Sequence, residues 1–227
     1  MRAILLAAGL GTRLQPLTLS RPKCLMPIKG TPLLGLWLIK LIEAGIDSII
    51  VNTHYLSQQV EEFVAQTDCK KYVQCVYEPI LLGTAGTLIK NVESSEEQDI
   101  LLIHADNYFD GSLLPLIAAH RNRPTSTMMT MLTFQTDEPH LCGIVEVDVD
   151  NIMCAFHEKI SNPPGNLANG ALYLISKELI RIIKSEFASA QDFSTEIIPH
   201  LIGKVFCFTT SNTYLDIGTI KNYVKVK

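Results

Sequence analysis

Through the first half of the chain, short apolar runs alternate with longer segments of mixed character, and this rhythm limits the fold more than any other feature. Residues 3–8, 48–53, 72–77 and 100–104 are runs of strand length, each built around apolar residues. A strand apolar on both faces belongs in a sheet covered on both sides, which is the habit of parallel sheets. Between these runs, residues 33–44, 58–65, 85–92 and 112–120 are apolar on at least one helical face. The reading is an α/β fold with a mainly parallel central sheet flanked by helices. Right-handed crossovers would carry the strand ends to one edge, where open α/β sheets bind ligands.

Past residue 125 the rhythm changes. Residues 128–134, 144–149 and 171–175 read as strands with few helices between them, a small mixed region or lid. Leu179, Ile180, Ile182, Ile183 and Phe187 form a helical stripe, and residues 216–224 read as a turn and a short closing helix. At 227 residues and 47% apolar content the chain can bury a substantial core, so one globular domain is expected.

Several classes are disfavoured. The formal net charge of -4 argues against a mainly electrostatic grip on nucleic acid, so any phosphate chemistry rests on a few placed cations. The six cysteines include no C-x-x-C pair, which suggests neither a zinc site nor a disulfide framework, and reduced thiols in a cytoplasmic protein are the simplest reading. Residues 3–10 read as a buried strand and not a signal peptide, and no run approaches the ~18 apolar residues of a membrane span.

Ala8-Gly9-Leu10-Gly11-Thr12-Arg13-Leu14 follows the first strand directly. Glycines at such a position let backbone N–H groups approach phosphate oxygens, although a plain strand-to-helix turn explains them equally well. Leu14 stands where the dinucleotide fingerprint has its third glycine, and the Gly-Lys-Ser/Thr ending of a P-loop is missing. Arg13 shifts the balance toward phosphate, because a guanidinium beside the loop can hold a triphosphate bidentately. Lys23, in Arg21-Pro22-Lys23, adds an ammonium; alone it would pass for a surface lysine.

Residues 7–14, followed by Pro16-Leu17-Thr18 and Pro22-Lys23, resemble the N-terminal signature of the sugar-1-phosphate nucleotidylyltransferases. The resemblance implies a Rossmann-like fold in which Leu6, Ala8, Gly9, Gly11, Thr12 and Arg13 hold the nucleotide, while Lys23 stabilises charge on the α-phosphate. It extends to about Tyr223, with the motifs in the family's order. No β-helical extension follows, so a second activity is not expected. One domain over residues 1–227 is implied, with residues 1 to about 125 as the nucleotide-binding half and 126–227 as the sugar-binding half.

Later motifs are read the same way. Gly83 and Thr84, in Leu82-Gly83-Thr84-Ala85-Gly86-Thr87, resemble the base-reading loop, with wording nearest the mannose-1-phosphate guanylyltransferases; by itself the stretch is as well read as a helix start. Glu78 could accept hydrogen bonds from a guanine edge, or be simply exposed. Asp106, at the end of an apolar strand, and Asp216, in Leu215-Asp216-Ile217-Gly218-Thr219, match the family's metal-binding aspartates, and two carboxylates with phosphate oxygens commonly hold Mg²⁺. Gly143, Glu158, Lys159 and Asn169 resemble the elements that contact the sugar and its phosphate. Ala105, Ile160 and the Gly170-Ala171 order depart from the family's usual wording and leave the charged groups in place.

The implied activity transfers a nucleoside monophosphate from a nucleoside triphosphate, GTP being favoured, to a sugar 1-phosphate of the mannose, heptose or hexosamine type. Arg13, Lys23 and Asp106 are the implied catalytic residues. The products are pyrophosphate and a nucleotide sugar of the kind used in cell-surface polysaccharide biosynthesis. Neither nucleic acid nor membrane is an expected partner, and the apolar stretch 33–42 together with the family habit makes a homodimer a reasonable expectation. Two alternatives stand beside this reading: a cytidylyltransferase acting on phosphocholine or a similar small phosphate, since Ala105-Asp106-Asn107-Tyr108 resembles that branch too, and a catalytically silent nucleotide-binding subunit.

Overall fold

The chain adopts the expected α/β class, Rossmann-like, with a mainly parallel central sheet flanked by helices. A computed structural model describes residues 1–92 and 98–227. It divides into two compact units, one of Met1–Leu81, Ile103–Leu113 and Asn212–Lys227, the other of Leu82–Leu102 and Leu114–Ser211.

In the first unit the strands Arg2–Leu6, Ile49–Thr53 and Val73–Tyr77 run parallel, with Ala3 opposite Ile49 and Ile49 opposite Val73. Ala3, Ile4, Leu5 and Val51 are fully buried, which is why these segments show no alternation in sequence. The helix Leu33–Glu43 buries Leu33, Leu34, Trp37, Leu38 and Leu41, each such side chain contributing about 1.5–3 kcal/mol of apolar burial. Trp37 also donates its indole N–H to the Asn107 carbonyl at 2.9 Å, so the helix is pinned beside the segment that carries Asp106. The strand Asn107–Phe109 pairs antiparallel with Tyr214–Asp216, which brings the neighbours of Asp106 and Asp216 into register: Asp216 lies opposite Asn107. Thr219 then caps the closing helix Ile220–Val226 by accepting from the Asn222 N–H.

The second unit is mixed. Leu167–Ile175 pairs antiparallel with Met129–Gln135 and with Gly143–Val147, which pairs antiparallel with Met153–Glu158, while Val205–Thr209 runs parallel to Met129–Gln135. The helix Lys177–Glu186 buries Leu179, Ile180 and Ile183, and Ser176 caps it by accepting from Leu179 N–H. The strands Met153–Glu158 and Val205–Thr209 are absent from the sequence reading. Met153–Glu158 is only partly buried without a period-two pattern, Val205–Thr209 alternates in burial but not in sequence, and pairing with neighbours far along the chain organises both. Among the described residues no helix is long and apolar enough to cross a membrane.

Candidate active site

The glycine loop is held from below by an amide clamp. Asn52, buried near the end of its strand, accepts the Ala7 N–H on Oδ1 at 2.7 Å and donates from Nδ2 to Glu78 Oε1 at 3.2 Å. Ala7 is therefore fixed where the strand Arg2–Leu6 gives way to the loop. Beyond it Gly9 is exposed, and Gly11 takes the left-handed conformation at φ 65°, which glycine adopts without penalty. A Cβ on Gly11 would lie 3.0 Å from the Thr18 methyl, while the Thr18 hydroxyl donates to the Gly11 carbonyl at 2.8 Å. Thr12 and Arg13 follow in a single 3-10 turn, both exposed.

Four charged side chains, far apart in sequence, meet in this unit. Lys23 Nζ lies 2.7 Å from Asp106 Oδ2 and 2.9 Å from Asp216 Oδ1, and Arg13 Nη2 lies 3.3 Å from Asp216 Oδ2. Asp106 gets there because Ala105 N–H bonds to the Leu6 carbonyl at 3.1 Å, which sets the end of the strand Ile100–His104 beside the start of the glycine loop. Asp216 is oriented by the Gly218 N–H, which donates to its Oδ1 at 2.7 Å. Burial opposes ionisation of Asp106, but the charges of Lys23 and His104 and the hydrogen bonds outweigh it and hold the carboxyl below its ordinary range. Burial likewise works against the charge on Lys23, yet Asp106 and Asp216 keep its ammonium above the usual lysine value. Neighbouring Cys24 is pushed up to about 12 by burial first and by Asp106 second, so its thiol is protonated and unreactive.

The two aspartates suit a shared hard cation, since both already converge on one ammonium nitrogen. Among the described residues no group of three or more His, Cys, Asp or Glu side chains is gathered for a metal ion.

In the second unit, Gly83 begins the helix Gly83–Asn91 at φ 76°, and a Cβ there would stand 2.3 Å from the Gln191 carbonyl oxygen. Thr84 Oγ1 accepts the Phe193 N–H at 2.7 Å and Ala85 N–H donates to the Gln191 carbonyl at 2.9 Å, so residues 83–85 are tied to residues 191–193. Gly143 has no room for a side chain, because Glu158 Oε2 and the Phe156 ring would lie 2.6 and 2.7 Å from its Cβ. Glu158 Oε1 pairs with Lys159 Nζ at 2.7 Å, and Lys159 holds a positive φ of 48°. An L-residue in that region is strained and needs its surroundings to keep it there. Asn169 donates from Nδ2 to Tyr173 Oη at 2.8 Å and accepts the Ala171 N–H on Oδ1 at 2.8 Å. Tyr173 is fully buried, its ring 4.9 Å from that of Phe193, and burial pushes its hydroxyl well above the tyrosine range.

The first unit therefore gathers Leu6, Ala8, Gly9, Gly11, Thr12, Arg13, Lys23, Asp106 and Asp216 around the loop and the strand edge, with Glu78 beneath it. The second gathers Gly143, Glu158 and Lys159 in one corner, with Asn169 on Tyr173 and Gly83 with Thr84 on residues 191–193. Three contributors escaped the sequence reading. Asn52 acts by a hydrogen bond over 45 residues, which no local pattern announces, and Thr18, visible in the N-terminal motif but without a role there, acts by one over 7 residues. Gly218 carried a visible signal, a glycine two residues past Asp216, yet the need for it comes from Arg13, whose Nη2 would lie 2.8 Å from the missing Cβ.

A glycine loop, two cations and two carboxylates at the edge of a Rossmann-like sheet describe a protein built to handle nucleotide phosphates. Residues 2–227 match the sequence model of the nucleotidyl transferase family, and the chain belongs to that family. It is 30% identical over 98% of its length to the mannose-1-phosphate guanylyltransferase of Mycobacterium tuberculosis, spanning 62% of that protein. It is 27% identical to the D-glycero-alpha-D-manno-heptose 1-phosphate guanylyltransferase of Aneurinibacillus thermoaerophilus, where it covers 97% of the relative. The chain thus spans about three fifths of the length of several of the curated relatives it matches. The fold is shared with HddC from Yersinia pseudotuberculosis, solved in complex with GMP-PN, at a TM-score of 0.81 and 23% identity over 99% of this chain and 97% of that one.

Proposed function

We propose that this protein transfers a nucleoside monophosphate, with GTP the favoured donor, to a sugar 1-phosphate of the mannose, heptose or hexosamine type. The observation that carries the reading is the convergence of Arg13, Lys23, Asp106 and Asp216 beside the glycine loop. Its relatives supply the choice of base and sugar class, since both named above are guanylyltransferases of sugar 1-phosphates. The phosphocholine and silent-subunit alternatives are not favoured by these relatives.

An oxygen of the sugar phosphate attacks the α-phosphorus, a new P–O bond forms, and the bond to the bridging oxygen of the departing pyrophosphate breaks. No protein nucleophile is required, and positioning with charge neutralisation supplies most of the rate. The loop from Leu6 to Thr12 holds the triphosphate through backbone N–H groups, and Arg13 and Lys23 counter its charge. Asp106 and Asp216 would hold Mg²⁺, which when bound would neutralise charge on the phosphate oxygens. Gly83 and Thr84 meet the base and ribose through backbone groups. Glu78 belongs to the nucleotide set as the buried anchor of Asn52, whose amide fixes Ala7 at the head of the loop. Lys159 meets the sugar phosphate, and Gly143, Glu158 and Asn169 meet the sugar. Residues 1–125 are assigned to the nucleotide and 126–227 to the sugar, except Asp216, which joins Asp106 at the metal. A cytoplasmic location and a homodimer complete the reading.

The test is pyrophosphate release from GTP, UTP, CTP, ATP and dTTP with Mg²⁺ against a panel of sugar 1-phosphates and phosphocholine. Release with GTP and a sugar 1-phosphate is expected. Silence from folded protein, or release with phosphocholine alone, would overturn the reading.

A further inference from the structure

The four charged groups of the strand-edge cluster neutralise one another. Lys23 bridges Asp106 and one oxygen of Asp216, and Arg13 takes the other Asp216 oxygen, so two cations and two anions form a closed set. Lys23 has little access to water, its side chain being 7% exposed. A buried ammonium without a counter-charge is costly, so this lysine leaves the carboxylates only for another anion. The cations proposed to grip phosphate are therefore spent on the carboxylates proposed to grip metal, and the reverse.

We propose that divalent metal and triphosphate load onto this protein as a coupled pair, each releasing the partner that the other needs. The inference rests on the metal and phosphate roles assigned above. A dication on Asp106 and Asp216 competes with Lys23 for the same oxygens and repels the ammonium, which then needs an anion. A triphosphate on the loop draws away Arg13 and Lys23 and leaves two carboxylates uncompensated, which then attract a dication more strongly. Each ligand alone must break the internal ion pairs without replacing all of them. Both together exchange every internal pair for a ligand contact. By linkage, the factor by which phosphate improves metal binding equals the factor by which metal improves phosphate binding.

Two binding measurements on the whole chain test this without any turnover. In the first, Mn²⁺ alone is titrated, without nucleotide, into wild type and Lys23→Met, with free Mn²⁺ read by electron paramagnetic resonance. Lys23→Met is expected to bind at least roughly tenfold more tightly, a coupling of ordinary size. In the second, inorganic tripolyphosphate is titrated calorimetrically in EDTA into wild type and Asp216→Asn. The variant, with Arg13 and Lys23 freed from one carboxylate, is expected to bind several-fold more tightly. Asp216 is half-exposed, so this second arm decides alone should Lys23→Met fail to fold. Unchanged or weaker binding in either folded variant overturns the coupling. Mn²⁺ titration of Lys23→Met/Asp106→Asn separates the two layers. Loss of Mn²⁺ there upholds the metal reading even where the coupling fails, and binding indifferent to Asp106 overturns both.

Discussion

Gly218 has no side chain because Arg13 occupies the space: a Cβ at Gly218 would stand 2.8 Å from Arg13 Nη2 and as close to the carboxylate of Asp216. The absence of one methyl group thus lets a guanidinium lie against the aspartate it neutralises. Gly218→Ala is expected to leave the fold intact, since the atoms its Cβ would meet are the ends of the Arg13 and Asp216 side chains, but to displace both charged groups. A displacement of about 1 Å at such a site can cost on the order of 10²-fold in rate. Pyrophosphate release measured beside a thermal melt checks this; an unchanged rate would show that the Arg13 and Asp216 placement is not needed.

Lys23→Ala and Asp216→Ala are expected to remain folded and to lose most activity, about 2–4 kcal/mol of transition-state stabilisation for each contact removed. Turnover like wild type in folded Lys23→Ala would refute the role given to the lysine.

Gly83→Ala is expected to act on stability first. The new Cβ meets the Gln191 carbonyl oxygen at 2.3 Å and the backbone is held at φ 76°, so strain and steric conflict add. A loss of about 1–3 kcal/mol is expected from denaturant unfolding. Ala171 offers the opposite experiment. It holds φ 50° with its N–H donated to Asn169, a conformation that glycine takes freely. Ala171→Gly is expected to keep or raise stability by up to about 1 kcal/mol, and Ala171→Val to lower it, in the same assay.

Asp99 sets an acid limit on the second unit. His120, whose Nε2 lies 3.6 Å from Asp99 Oδ2, comes first among the causes that hold its carboxyl low, with help from the Lys177 N–H at 3.0 Å and against the effect of burial. A depressed carboxyl stabilises the fold fully above its unfolded value of 3.8 and loses that contribution as pH falls through the lower folded value. Unfolding midpoints measured from neutral pH downward are expected to drop below that point in wild type. Asp99→Asn is expected to be about 1 kcal/mol less stable at neutral pH and to lose part of the acid dependence.

The strands and helices of the first unit were legible because their signals are local. Residues 3–8 are apolar throughout since both faces are covered, and Gly9 and Gly11 break that run at the loop. The charged positions were legible as motifs, each within a few residues of a recognisable neighbour. What no stretch of sequence contained was the pairing among them. Lys23 and Asp106 stand 83 residues apart, and Arg13 and Asp216 stand 203 apart, so neither helical nor strand periodicity connects them. They meet because the Ala105–Leu6 hydrogen bond and the pairing of Asn107–Phe109 with Tyr214–Asp216 bring separate chain ends to one sheet edge. The fate of Glu78 turned on the same kind of contact. Read alone it could pass for an exposed residue, but it is buried and tied to Asn52, which in turn holds Ala7, and a buried carboxylate joined to an amide is a property of three strand ends, not of any one of them.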